Sequence, residues 1–331
     1  MKQYGVKIQG IGVCLPQTIV KNDDLTALVE TSDEWVYTRT GFKERRVVSG
    51  NELMTDLGIQ AAKDALAYAA VSPEEVGLIV LASSTPDYIY PAGAGVIQSA
   101  LGAHKAFGFD VAMGCSGLIY AMGIAIQFIE NGTVETALVV ASDTHSRYTD
   151  WHDRNTCVLF GDGAGAFVLK RCESADSDIL GLNLRLDGHV GHHIKLPIVR
   201  QNCPLVPQRE AEETSAIWMN GREVFKYAVG EVPKIIEAAV AEAGLTPQDI
   251  DFYVLHQANT RIMQMIPERL NVPEEKFVVS VEKYSNTSAA TIPLAFNDYL
   301  KAGKIPKGSK IVFCGFGAGM AVATLVVTWN A

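Results

Sequence analysis

The sequence predicts an α/β protein made of two similar halves related by a pseudo-twofold axis, and three observations predict it. Apolar segments of strand length alternate with stretches of helical periodicity along the 331 residues. A helix, a Ser/Thr-Pro turn and a strand then occur twice: residues 53–70, SPEE at 72–75 and 76–81, and again 232–243, TPQD at 246–249 and 250–255. The second turn lies 174 residues after the first. Finally, GDGAGA at 161–166 before FVL echoes GFGAGM at 315–320 before AVATLVV. Each half is therefore expected to end on a glycine-rich turn joining two apolar β segments, as in a hairpin.

The bulk properties fit. The length exceeds the usual single-domain size, and 48% hydrophobic with 20% charged residues is globular composition. A net charge of -9 argues against a general nucleic-acid binder, so an acidic partner must meet a local basic patch. The six cysteines, at 14, 115, 157, 172, 203 and 314, show neither a CxxC pair nor zinc-like spacing, which suggests reduced thiols and no metal site. The N-terminus MKQYGVKIQG has no long apolar core, and no stretch approaches the roughly 20 apolar residues of a membrane span. The expectation is a cytoplasmic protein that engages no membrane.

Along the chain, residues 6–13 form a candidate first strand, ended by Pro16. TSDEW at 31–35 reads as a helix start, with Thr31 or Ser32 as N-cap and Glu34 completing a capping box with Thr31. Arg39, Lys43, Arg45 and Arg46 follow beside Trp35, either a solvated basic loop or an anion site with an aromatic shelf. In 53–70, Leu57, Ala61, Ala65 and Leu66 lie on one stripe. The apolar run 107–111 is broken by Gly114, and a helix continues from 118 to about 129. Cys115 sits at the break, a place where unpaired N–H groups and the helix dipole favour a thiolate, although a buried structural cysteine fits the stretch as well. DVAMGCS at 110–116 aligns with VEKYSNT at 281–287, each ahead of a small-residue helix. The halves are set at 1–170 and 216–331, with 171–215 (ESADSD, GHVGHH, PLVPQREAEE) as an irregular connection.

If equivalent loops face each other across the pseudo-twofold axis, Cys115, His256 and Asn286, each expected just after a strand, meet in one neighbourhood. A cysteine can carry an acyl group as a thioester, and an imidazole with a carboxamide N–H can donate to an oxygen that becomes negative, which suits Claisen chemistry. A papain-type Cys-His-Asn hydrolase uses the same residue types, but its local cysteine signature is absent and the duplication does not fit it. GDGAGA lacks the Lys-Ser/Thr of a phosphate loop. The His189, His192 and His193 cluster lacks an HExxH pattern and reads as solvated. Tyr284, Phe313, Phe316 and Met320 read as core or pocket lining, and Asp162 as a turn residue serving backbone donors.

Seven segments in order carry a family resemblance: TSDEWVYTRTGFKERR (31–46), GCSG (114–117), DRNTCVLFGDGAGA (153–166), NGREVFK (220–226), HQANTRI (256–262), NTSAA (286–290) and GFGAG (315–319). Over essentially its whole length the chain resembles β-ketoacyl-acyl-carrier-protein synthase III, the initiating condensing enzyme of the thiolase superfamily. The resemblance implies a thiolase-like fold layered α-β-α-β-α. It also implies acylation of Cys115 by an acyl-CoA primer, acetyl-CoA by default, and condensation with malonyl-ACP promoted by His256 and Asn286. It places the oxyanion hole at the N–H groups of Cys115 and Gly319, and CoA or ACP contacts at Thr31, Trp35, Arg39, Arg154, Phe225, Asn259 and Arg261. The acyl pocket falls to Tyr90, reaching across a homodimer interface, with Ala318 and Met320. No cofactor is implied, because the CoA thioester and phosphopantetheine-ACP are substrates. Ala318 and Met320 depart from the family pattern and leave primer choice open. A related acyltransferase, or a polyketide-priming enzyme with another acyl donor or acceptor, is the alternative.

Overall fold

Short apolar runs covered on both faces form the centre of each half, as in sheets enclosed by helices. The computed structural model describes residues 3–198, 203, 205 and 215–331. The first half comprises β1 (Gly5–Cys14), β2 (Thr18–Lys21), α1 (Asp33–Thr40), β3 (Glu44–Val47), α2 (Met54–Ala69), β4 (Leu78–Ala82), α3 (Gly93–Leu101), β5 (Phe107–Val111), α4 (Gly117–Glu130), β6 (Thr136–Thr144) and β7 (Asp162–Cys172). The second comprises β8 (Ile179–Leu186), β9 (Ile194–Lys195), β10 (Trp218–Met219), α5 (Gly221–Glu242), β11 (Phe252–Leu255), α6 (Thr260–Leu270), α7 (Val281–Tyr284), α8 (Thr291–Lys301), β12 (Ser309–Gly317) and β13 (Ala321–Trp329).

The strand orders β1-β7-β6-β4-β5 and β8-β13-β12-β11 match position by position. In each half the first two pairings are antiparallel and the third is parallel. The place of β5 is reduced in the second half to a single parallel bridge between Tyr253 and Phe277. Three apolar clusters separate five layers. Leu57, Ala61 and Ile97 of α2 and α3 cover one face of the first sheet, and Ile236, Val240 and Ile266 of α5 and α6 cover one face of the second. Leu118 and Met122 of α4 with Ile292 and Phe296 of α8 fill the space between the sheets. This is the expected α-β-α-β-α layering, and it points α4 at the interface between halves.

Four local expectations change. The helix expected at 232–243 begins at Gly221, because Gly230 and buried Pro233 resemble a helix start yet lie inside α5. The segment 171–215 is not wholly irregular: it contains β8, the strand that opens the second sheet, whose outer end is exposed and polar enough to read as loop. Of PLVPQREAEE only Leu205 lies within the described residues. GDGAGA is not a hairpin turn but runs into β7, where a Cβ at Gly165 would lie 2.2 Å from Cγ of Pro293 in α8, so glycine permits the close approach. Its counterpart does turn, at residues 318–320 between β12 and β13. Asp162 serves backbone donors as expected, accepting from Val48 N–H (2.8 Å) and Ser146 N–H (2.9 Å), but from the start of a strand.

The N-terminal basic segment also separates. Ser32 alone caps α1, its hydroxyl accepting from Trp35 N–H at 3.1 Å, and the capping box with Thr31 does not form. Arg45 is fully buried and donates to Asn22 Oδ1 and Val158 O, each at 3.0 Å; burial lowers its pKa to about 10, which leaves it charged and structural. Lys43 pairs with Glu282 at 3.2 Å and Arg46 donates to Pro16 O at 3.3 Å. Only Arg39 remains beside Trp35.

Candidate active site

Cys115 stands between β5 and α4 in a one-turn 3-10 helix, Gly114–Ser116. A buried carboxylate sets that turn: Asp143 Oδ1 accepts from Ser84 N–H (2.8 Å), Ser83 Oγ and Thr85 Oγ1, and Ser84 Oγ in turn accepts from Gly114 N–H at 3.1 Å. The thiol is enclosed, and burial pushes its pKa up to about 12, with the Asp143 charge adding to the rise. Neighbouring polar groups, the N–H groups of Cys115 and Ala318 among them, pull it the other way. A Cβ at Gly317 would lie 3.0 Å from the sulfur, so glycine there lets the β12–β13 turn close over the nucleophile.

Of that turn it is Ala318 that lines the cavity beside Cys115, where the resemblance had implied Gly319. Gly319 lies one residue further, with φ +77° and its Cβ direction toward Leu186, and it does not line the cavity. Met320, buried and holding its carbonyl to Tyr227 Oη at 2.8 Å, does not line it either.

His256 follows β11 directly, as expected, and Cys314 O accepts its N–H at 2.8 Å. Its ring packs edge-on to Phe316, with centroids 5.2 Å apart, and burial lowers its pKa to about 3, so the imidazole is neutral. Nδ1 lies 2.7 Å from Thr291 Oγ1, which itself lies 2.9 Å from Ser288 O. The carbonyl can only accept, so the hydroxyl hydrogen goes to it and the proton of the neutral ring rests on Nδ1. Nε2 is left as an unprotonated lone pair.

Asn286 follows the short helix α7 and not a strand, because the second half has only the isolated bridge where β5 stands in the first. Its backbone is tied to the first half: its N–H donates to Leu159 O (3.0 Å) and its carbonyl accepts from Gly161 N–H (2.9 Å). The side-chain oxygen accepts from Ser288 N–H at 2.9 Å, which directs the two amide hydrogens elsewhere. Ser285 and Ser288, both with φ of 54°, bend the chain on either side of it.

These three residues line one cavity of about 660 Å³ that runs to Trp35 and Arg39 and also includes Phe225, Asn259 and Ala318. The guanidinium groups of Arg39 and Arg154 lie over the Trp35 ring at 4.3 and 4.5 Å from its centroid. Arg154 is held there by Glu30 O, to which it donates at 2.8 Å. Asn259 caps α6 through Ile262 N–H, and Arg261 is exposed on that helix's first turn. Thr31 keeps a buried hydroxyl without a hydrogen-bond partner and does not line the cavity, and Tyr90 is 86% exposed and remote from it.

Sequence reasoning missed several residues. Arg222 and Lys195 also line the cavity, and Ser288, Thr291 and Asp143 hold the three chemical groups. Thr291 directly follows the NTSAA motif, five residues after Asn286, a signal that was present; Asp143, 28 residues beyond Cys115, reaches the site only through the parallel pairing of β4 and β6.

Two family models match the chain: 3-oxoacyl-[acyl-carrier-protein (ACP)] synthase III over residues 109–188, and the C-terminal model of that name over residues 240–329. The chain is 43% identical over 327 residues to the β-ketoacyl-[acyl-carrier-protein] synthase III of Synechocystis sp. (strain ATCC 27184 / PCC 6803 / Kazusa), covering 98% of each. Among solved structures it is similar to the 3-oxoacyl-[acyl-carrier-protein] synthase III of Aquifex aeolicus VF5, with 40% identity, a TM-score of 0.90, and coverage of 98% of this chain and 100% of that one. It also resembles the priming β-ketosynthase of the R1128 polyketide biosynthetic pathway, with 31% identity, a TM-score of 0.91 and coverage of 99% and 97%.

Proposed function

Since the chain belongs to the 3-oxoacyl-[acyl-carrier-protein] synthase III family of thiolase-fold condensing enzymes, we propose that Cys115, His256 and Asn286 carry its initiating condensation, joining an acyl-CoA primer to malonyl-ACP. The observation that carries this reading is that Cys115 from the first half and His256 and Asn286 from the second line one cavity, with Ala318 of the β12–β13 turn beside the thiol.

In the first half-reaction the Cys115 sulfur bonds to the thioester carbon of acyl-CoA. The N–H groups of Cys115 and Ala318 hold the oxyanion of the tetrahedral adduct, the bond to CoA sulfur breaks, and CoA leaves as the thiol with the proton that Cys115 gives up. In the second, the carboxylate of malonyl-ACP departs as CO2, and the enolate oxygen receives an amide hydrogen of Asn286. A negative charge beside the imidazole favours its protonated form, so His256 takes up a proton at Nε2 as the malonyl group arrives and donates it to the same oxygen. The enolate carbon attacks the acyl-Cys115 thioester. As 3-ketoacyl-ACP forms and the sulfur departs, that proton restores the thiol, which accounts for the one proton the condensation consumes.

Trp35 with Arg39 and Arg154 suits an adenine base and its phosphates, and Phe225 and Asn259 line the way from there to the thiol. Arg222 and Arg261 give a protein of charge -9 a local positive rim for an acidic carrier protein. Exposed Tyr88, Ile89, Tyr90 and Phe107 form the apolar face of a homodimer in which Tyr90 closes the partner's acyl pocket. No described helix is long and apolar enough to cross a membrane, and the reading places the enzyme in the cytoplasm with no cofactor. The likeness to a polyketide-priming ketosynthase supports a second reading, in which the same chemistry serves a polyketide carrier protein; the carrier accepted in vitro separates the two.

The test is His256→Ala. Acylation of Cys115 by acetyl-CoA is expected to persist, since no hydrogen bond joins His256 to the thiol and its Nδ1 is engaged by Thr291. CO2 release from malonyl-ACP by the pre-acylated variant is expected to fall by at least about 100-fold. Equal loss in both steps overturns the division of labour.

A further inference from the structure

β6 is buried along all nine residues and ends at Thr144, one residue beyond the Asp143 carboxylate that sets the nucleophile's turn. His145 comes next and lines the same cavity as Cys115, His256 and Asn286. Its ring stacks on Phe160, centroids 5.2 Å apart and planes at 20°, and the residue is only 7% exposed. Its Nδ1 is sealed off and has no hydrogen-bond partner, so the nitrogen left for the cavity is Nε2, which no described residue engages. The carboxylate of Asp162, whose charge reaches the ring, is already engaged by Ser146 N–H, the Ser146 hydroxyl and Val48 N–H. Val158, Leu159, Phe160 and Ile217, which line the cavity with it, have no side-chain polar group to offer.

A hydrocarbon that displaces water from a polar atom without replacing its hydrogen bond is disfavoured, and a polar group in a largely apolar cavity is the kind of feature that orients a ligand and sets specificity. Stacking alone would be served equally well by a phenyl ring. We propose that His145 is a specificity-determining residue of the acyl pocket, selecting primers whose acyl chain carries a hydroxyl or oxo oxygen over hydrocarbon chains of the same length. This inference rests on the reading of Cys115 as the acylated nucleophile. The step read is the same balanced exchange: the sulfur–acyl bond forms on Cys115, the sulfur–acyl bond of CoA breaks, and the Cys115 proton leaves on CoA. The oxygenated chain differs only in giving the imidazole a partner. A hydrocarbon chain leaves it unpaired, and a site of this kind disfavours the analogue that lacks the hydroxyl.

The experiment follows Cys115 acylation by intact mass with butyryl-CoA, 3-hydroxybutyryl-CoA and 4-hydroxybutyryl-CoA, in the full-length protein and in His145→Phe and His145→Leu. The wild type is expected to accept at least one hydroxybutyryl donor about tenfold or more faster than butyryl-CoA at low donor concentration. His145→Phe, which keeps the stack on Phe160, is expected to reverse that order, and His145→Leu provides the same comparison without the ring. Butyryl-CoA reacting as fast as both hydroxylated donors in the wild type overturns the proposal whatever the variants do. A preference that survives in either folded variant overturns its assignment to His145. If no acyl-CoA labels Cys115, the reading of the nucleophile fails and this inference falls with it.

Discussion

Replacing Thr291 by valine deletes one hydroxyl and almost no volume at a residue only 2% exposed. That hydroxyl joins His256 Nδ1 (2.7 Å) to Ser288 O (2.9 Å); the carbonyl keeps the backbone N–H of residue 291, so the substitution leaves one buried N–H, that of His256, without a partner. At about 1–3 kcal/mol for an unsatisfied buried group, the fold should lose about 1–3 kcal/mol. A shift of that size is read from the midpoint of urea unfolding. The functional cost is separate. Without its anchor the ring no longer presents Nε2 in one orientation, and a loss of about 1.5–3 kcal/mol in the transition state corresponds to roughly 10- to 100-fold. The loss should fall on decarboxylation of malonyl-ACP by acyl-enzyme, with Cys115 acylation by acetyl-CoA changed by less than about threefold, because the turn that carries the thiol is set by Asp143 and Ser84. Thr291→Ser should restore most of both. Single-turnover measurement of CO2 release and of the acyl adduct by mass separates the steps. If acylation falls as far as decarboxylation, or Thr291→Ser rescues neither, the anchoring argument is wrong.

The two half-reactions should also respond oppositely to pH. Burial places the Cys115 thiol at about 12, so its thiolate is scarce near neutrality and acylation should rise about tenfold per unit from pH 6 to 9, without a plateau. Burial places His256 at about 3, so its protonated form diminishes as pH rises and condensation by pre-acylated enzyme should decline over the same range; parallel profiles would contradict this. Trp35→Ala should raise KM for acetyl-CoA about tenfold, given about 1–3 kcal/mol per stacked base, and leave the malonyl-ACP step of pre-acylated enzyme unchanged. An unchanged KM would remove Trp35 from nucleotide binding.

The duplication was legible in the sequence because the repeated turns SPEE and TPQD sit between equivalent helices and strands, and both recur in the structure as capped 3-10 turns. Cys115, His256 and Asn286 were legible because the pseudo-twofold symmetry brings equivalent loops together. What was hidden depended on tertiary contact. Arg45 looks in sequence like its basic neighbours, yet its carbonyl and Asn22 partners draw it into the core. Which residue of the glycine-rich turn faces the cavity depends on the path of three residues, and it is Ala318 and not Gly319. β8 was missed because an edge strand with exposed Leu184 and Leu186 carries no burial pattern. The cavity's buried His145 gave no signal, since periodicity cannot distinguish a satisfied imidazole from an unpartnered one.

The most direct test of the central claim is intact-mass analysis of the protein with acetyl-CoA, followed by malonyl-ACP. The account predicts a single acetyl adduct on Cys115, absent in Cys115→Ser, and its discharge by malonyl-ACP with release of CO2 and formation of acetoacetyl-ACP. An adduct on another residue, or a Cys115 adduct that malonyl-ACP and a polyketide malonyl carrier protein both fail to discharge, would contradict it.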